Sequence, residues 1–178
     1  KPLTYQSCRR RTPSYRSLRD VLMAWLVIRA RSDRGVERSI RETMGYLNLT
    51  RVNHAVIIPE NETYAGMLQK VKDYVTWGQV SADSIASLLR ERGRLIGDKP
   101  VDDAAIAAST GHGDIDSFAA AIASGDATMK DAADLKRVFR LHPPRGSKGW
   151  GGLKRAYTVG GALGHRGAAI EELAARMM

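Results

Sequence analysis

Two short apolar runs, each followed by the apolar repeat of a helix, constrain the fold of this chain more than any other feature. Residues 25–28 form a partly β-branched run that predicts a strand, and apolar residues recur every three or four positions over 36–47, which predicts a helix. Residues 52–58 predict a second strand, and the stripe over 64–75 predicts a second helix. This alternation favours helices packed on a sheet.

Weaker patterns follow these two units. Helices are expected from Ser81 to Gly93, after Pro100 and from Asp114 to about Gly125. Basic and apolar residues alternate over 136–141, which predicts a third strand with one wet face. A short helix is expected at the C-terminal end, where apolar positions again recur at helical spacing.

Two strand-helix units and a closing strand predict an α+β protein of two layers, with the helices on one face of a small sheet. The expected parts are a basic arm (1–22), a core of strand, helix, strand and helix (23–79), a helical insertion (80–134), and a last part with the closing strand, a glycine-rich tail and a helix (135–178). The insertion is expected at one end of the sheet. Residues 1–22 lack periodicity, so they are a basic arm or lie upstream of the true start.

Charge is unevenly placed along the chain. The net charge is +9, yet residues 80–134 carry five basic and ten acidic side chains, whereas residues 135–178 carry nine basic and two acidic ones. Such a basic excess indicates a polyanionic partner. No apolar stretch approaches the ~20 residues of a membrane span, so a cytoplasmic protein is expected.

Catalytic and metal-binding patterns are not found in the sequence. The single cysteine and four scattered histidines lack metal-ligand spacing, and neither a nucleophile motif nor a cofactor motif is recognisable. Gly146-Ser147-Lys148 lacks the first glycine of a Walker loop. The glycine-rich tail instead combines close backbone approach with phosphate neutralisation by Arg and Lys. Trp150 and Tyr157 either stack on unpaired bases or pack on the domain.

Several segments resemble one family. They are RVNHAVIIP at 51–59, YAGMLQKVKDYVTWG at 64–78, FRLHPPRG at 139–146, GGALG at 160–164 and EELAARM at 171–177. Together they resemble the archaeal branch of the uL30 family of large-subunit ribosomal proteins, which is related to eukaryotic L7. The resemblance runs from about Met23 to the end of the chain.

This resemblance implies a ferredoxin-like β-α-β-α-β fold with an antiparallel three-stranded sheet and a helical insertion before the last strand. It implies a structural protein of the 50S subunit, without catalysis or cofactor, that contacts 23S rRNA near 5S rRNA and neighbouring ribosomal proteins. By position, the helix start at Gly66-Met67 and the turn at Arg145-Gly146 are expected to face RNA. The full predicted rRNA-binding set is Lys70, Lys72, Arg140, Arg145, Gly146, Lys148, Lys154, Arg155 and Arg166, with arm contacts from Arg9, Arg10 and Arg11.

Two other classes of function remain open at this point. A free regulatory RNA-binding protein would share the basic tail. A phosphate-ester hydrolase on a ferredoxin-like scaffold would need converging acid, base or metal residues, which the sequence does not indicate.

Overall fold

A computed structural model describes residues 24–146 and 149–178. The predicted contacts at Arg9, Arg10, Arg11 and Lys148 therefore lie outside the described residues. The strands are β1 (Ala24–Arg29), β2 (His54–Pro59), β3 (Val75–Gln79), β4 (Phe139–Arg140), β5 (Gly152–Ala156) and β6 (Gly161–His165). The helices are α1 (Arg38–Tyr46), α2 (Glu62–Val71), α3 (Ala82–Arg92), α4 (Asp103–Thr110), α5 (Ile115–Ser124) and α6 (Ala169–Met177).

The strands form one mixed sheet in the order β4-β2-β1-β3-β6-β5. Its centre is the predicted core, because β1 lies between β2 and β3 and pairs antiparallel with both. The α+β class and the β-α-β-α-β arrangement are thereby confirmed. The sheet is larger than the predicted three strands, because β4 adds to β2 and the glycine-rich tail supplies β6, parallel to β3, and β5.

The third core strand is not where the sequence pattern placed it. The helix predicted over 64–75 ends at Val71, and residues 75–79 form β3. Val75 and Trp77 face one apolar cluster, while the buried Thr76 hydroxyl donates to the carbonyl oxygen of Gly164 at 3.1 Å. The helical prediction was wrong here because position 75 satisfies both the helical repeat from Val71 and the alternation of a strand.

The strand predicted over 136–141 is correspondingly short. Only Phe139 and Arg140 form a strand, which pairs antiparallel with His54 and Ala55 at one edge of the sheet. The helical insertion therefore lies between β3, the third strand of the core, and this short edge strand.

Both faces of β1 are buried. Leu26 and Ile28 belong to a cluster that includes residues of α3, α5 and α6, whereas Trp25 and Val27 belong to a second cluster with α1 and α2. The insertion thus covers the second face of the sheet, and the expectation that it lies at one end was wrong. The reason is that a sheet with two apolar faces requires a layer on each.

The helices of the insertion were predicted well. Ser81 precedes α3 and Gly93 follows it, while the helix after Pro100 is α4. Asp114 forms a reciprocal capping box with Ser117 at the start of α5, which ends at a left-handed Gly125. Among the described residues, no helix is long and apolar enough to cross a membrane.

A glycine pair tests how closely the tail packs on the core. An added Cβ at Gly78 in β3 would overlap the carbonyl oxygen of Gly167, whereas a Cβ at Gly66 in α2 meets nothing within 4 Å. We expect Gly78→Ala to lower the free energy of unfolding by about 1–3 kcal/mol through overpacking. The matched Gly66→Ala should raise it by about 0.5–1 kcal/mol through helix propensity. Urea unfolding measures both; equal effects of the two substitutions would contradict this packing.

Candidate nucleic-acid interface

The structure distributes the predicted RNA-binding residues over separate regions. Lys70 in α2 and Lys72 just after it are exposed, and Gly66 lies inside α2 rather than at its start. Arg140 lies on β4 and is exposed, whereas Lys154 and Arg155 are exposed on β5. The described members of the predicted set therefore do not form a single compact cluster.

Two of these regions lie at opposite edges of the sheet. Five strand spacings separate β4 from β5, which corresponds to roughly 24 Å across the sheet. Arg140 therefore does not lie beside Lys154 and Arg155. The protein presents cationic side chains at each edge of the sheet, and these two places can contact different segments of a polyanion.

Arg166 has packing partners of its own. Its guanidinium is half-buried, donates to the carbonyl oxygen of Ala162 at 3.1 Å and to the Thr76 hydroxyl at 3.4 Å, and lies 4.5 Å from the centre of the Tyr157 ring. Burial lowers its pKa. Arg166 thus holds the 3-10 turn Tyr157–Val159 against β3, and Tyr157 takes part in packing.

The Arg145-Gly146 turn lies against the last helix. The Arg145 amide donates to the carbonyl oxygen of Arg176 at 3.2 Å near the end of α6, and the Arg145 side chain is exposed. Gly146 has a φ of +116°, a region that favours glycine. The backbone geometry therefore favours glycine at position 146, and the side chain of Arg145 faces solvent.

At the β4 edge, strand register brings basic residues together. Arg140 pairs with His54, and Phe139 pairs with Ala55. Directly opposed residues point to the same face of a sheet, so the buried Phe139 joins Ala55 in the apolar cluster beneath the insertion. Arg140 and His54 consequently lie on the other face, beside the chain that leaves α1.

A buried arginine fixes that neighbouring chain. Arg29 is 2% exposed, and its guanidinium donates to the carbonyl oxygens of Leu49 and Thr50 at 2.7 and 2.8 Å. It also pairs with Asp33 at 3.3 Å. Because these bonds hold the loop after α1, the positions of Thr50 and Arg51 relative to His54 are set by the core.

Together these elements form an open basic groove of about 420 Å³. We call it the β4 groove, and it is lined by Asn48, Thr50, His54, Leu135, Lys136, Arg137, Val138 and Arg140. The imidazole Nδ1 of His54 lies 3.3 Å from the Thr50 hydroxyl. The groove thus combines three cationic side chains with neutral hydrogen-bonding groups, which suits an oxyanion.

The charges of the groove are partly balanced by one carboxylate. Asp98 pairs with Lys136 and lies 3.9 Å from Arg140, and its pKa is lowered mainly by the hydrogen bond from Lys136. The pKa of His54 is also lowered, first by burial and then by the positive charges of Arg140, Arg51 and Arg29. Burial first, and then the neighbouring positive charges, therefore favour the neutral form of the imidazole.

Sequence reasoning missed most of this groove. It included Arg140 but omitted His54, Lys136 and Arg137. The alternation of basic and apolar residues over 136–141 was the available signal, since it already indicated one wet face. The pairing of Arg140 with His54 could not be predicted from the sequence, because it depends on a strand contact between residues more than 80 positions apart. Within the described part of the chain, no group of three or more metal-ligating side chains converges.

A mixed sheet covered by helices on both faces, with cationic side chains at both edges, defines a basic α+β protein suited to a polyanionic partner. Residues 25–75 match the family model described as Ribosomal protein L30p/L7e. The chain is 49% identical over 144 residues to the large ribosomal subunit protein uL30 of Methanopyrus kandleri, a match that covers 81% of this chain and 97% of that protein.

Other archaeal relatives agree. The uL30 protein of Methanosphaera stadtmanae is 45% identical over 86% of this chain and 99% of its own length, and that of Methanococcus vannielii is 43% identical over 88% and 100%. The chain therefore belongs to the uL30 family, as its sequence motifs indicated.

The pKa of His54 tests the electrostatics of the groove. We expect a value below 6.5 in the folded protein, and Arg140→Gln should raise it because one neighbouring positive charge is lost. Arg90 is an exposed cation on α3 in the insertion, so Arg90→Gln is the matched control and should leave the pKa of His54 unchanged. Nuclear magnetic resonance titration of the imidazole gives the pKa of His54 in the original protein and in both variants.

The lowered pKa of His54 also sets the direction in which stability changes with pH. Because the folded pKa is lower than the unfolded one, the contribution of His54 to stability is complete above pH 6.5 and is lost as the pH falls from 6.5 through the folded pKa. His54→Gln should remove this part of the acid sensitivity. A pKa of His54 above 6.5 would refute the environment described here.

Proposed function

We propose that this protein is a structural constituent of the large ribosomal subunit in the cytoplasm, where it contacts 23S rRNA near 5S rRNA and lies among other ribosomal proteins. The observation that carries the proposal is the 49% identity to a large ribosomal subunit protein along 97% of that protein. The role is structural: the protein contributes binding surface and charge to translation, without a chemical step of its own.

The proposed mechanism is electrostatic. Lys70, Lys154 and Arg155 are exposed on regular elements, and Lys72 is exposed just after α2, so they can neutralise phosphates without rearrangement of the fold. Arg145, Lys148 and Arg140 extend this set. Each phosphate contact releases condensed counterions, which gives affinity and a steep dependence on salt.

The insertion has a different proposed role. Its apolar residues cover the second face of the sheet, while acidic residues such as Asp102, Asp114 and Asp116 are exposed. Phosphates would be repelled by these carboxylates. We therefore assign this surface to solvent or to a basic ribosomal protein rather than to rRNA.

Fractionation of archaeal lysate on a sucrose gradient tests the ribosomal assignment. A tagged full-length chain expressed in an archaeon should sediment with the large subunit, because a structural constituent remains bound through the gradient. A free regulatory RNA-binding protein would stay near the top. Exclusive recovery there, with intact subunits in the same gradient, would end the ribosomal proposal.

Salt dependence tests the phosphate contacts. The fourfold variant with alanine at Arg145, Lys148, Lys154 and Arg155 should bind large-subunit rRNA more weakly. It should also show a flatter plot of log affinity against log salt, by about 0.7 to 0.9 per lost contact. Filter-binding titrations give the slopes. Arg90→Ala in the insertion serves as the control cation and should keep the original slope; an unchanged slope in the fourfold variant would contradict this set.

A further inference from the structure

A second cavity adjoins the β4 groove. It has a volume of about 380 Å³ and runs beside residues 56–59 of β2. Asn48 and Arg137 line both cavities. The two cavities therefore adjoin along the outer edge of β2, and together they are here called the β2 trough.

The two ends of the trough differ in chemistry. One end is the β4 groove, with His54, Lys136 and Arg140. The other end is walled by Tyr46, which is 75% exposed, by the half-buried Tyr64, and by apolar side chains including Met129. A cationic patch thus joins an aromatic and apolar pocket.

The trough is open because little of the described chain pairs with this edge of β2. The antiparallel pairing with β4 involves only His54 and Ala55 in the part of the chain that the structure describes. Beyond Ala55, the segment between α5 and β4 contributes Lys130 and Arg137 to the wall of the trough. A ligand can therefore lie along the strand edge with cationic side chains beside it.

We propose that the β2 trough binds one unpaired nucleotide of RNA, with its phosphate in the β4 groove and its base against Tyr46 and Tyr64. This inference rests on the proposed function and deepens it, because it adds recognition of a single-stranded feature to contacts with phosphates. Unpaired bases are the usual targets of aromatic side chains in RNA recognition.

Charge complementarity selects this occupant. Among the described residues that line the two cavities, none is acidic and four are cationic: Lys130, Lys136, Arg137 and Arg140. Asp98 balances part of the charge at Lys136 and Arg140, which leaves Arg137 between the phosphate end and the base end. A nucleotide matches both the charge and the change in polarity along the trough, whereas a neutral peptide strand matches only the open edge.

Adenosine monophosphate, adenosine and inorganic phosphate are suitable probes with the full-length chain. In nuclear magnetic resonance titrations, inorganic phosphate should shift the His54 resonances, adenosine should shift those of Tyr46, and the nucleotide should shift both with higher affinity than either fragment. Because an anion favours protonated imidazole, phosphate should also raise the pKa of His54.

Three variants separate the two ends. Tyr46→Ala should weaken binding of the nucleotide by about tenfold through loss of stacking, and it should leave the phosphate response intact. Tyr46→Phe should retain the affinity, since the ring remains. Arg137→Gln should weaken the phosphate response, and Arg90→Gln controls for the same change in net charge.

The possible outcomes are distinct. Nucleotide titrations that leave both His54 and Tyr46 unchanged overturn the inference, even when the chain sediments with the large subunit. An acidic decapeptide that shifts residues 56–58 in place of the nucleotide would assign the trough to a protein strand and also overturn it. Nucleotide binding by a chain that fails to sediment with the subunit supports the trough and rejects the ribosomal assignment.

Discussion

Burial of both faces of the central strand β1 is the constraint on which the architecture depends. Alternate side chains of a strand point to opposite faces, so Leu26 and Trp25 must each find an apolar layer. Helices α1 and α2 provide one layer, and α3, α5 and α6 provide the other. The insertion is consequently part of the hydrophobic core, and its acidic residues are exposed.

The glycine-rich tail is joined to this core by backbone contacts rather than by large apolar side chains. Strand β6 adds to β3, where the buried Thr76 bonds the carbonyl of Gly164 and Gly78 allows close approach of Gly167. Small residues on both sides make this approach possible. The attachment explains how a segment with few apolar side chains can hold Lys154 and Arg155 in fixed positions on β5.

Separation of charge along the sequence becomes separation in space. The basic last part of the chain reaches both edges of the sheet, with Arg140 at the β4 edge and Lys154 at the β5 edge. The acidic insertion occupies a face between them. Because screened electrostatic interactions decay over about 8–10 Å, each edge acts as a separate cationic surface at physiological salt.

The sequence by itself determined the α+β class, most of the helices and the family, because apolar periodicity, helix caps and local motifs are properties of short segments. Three features depended on tertiary structure. These are the strand at 75–79, where one apolar pattern fits two periods; the insertion as a second layer; and the pairing of Arg140 with His54. Each requires contacts between residues far apart in the chain, and local pattern carries no information about which distant partner competes best for a buried face or a free strand edge.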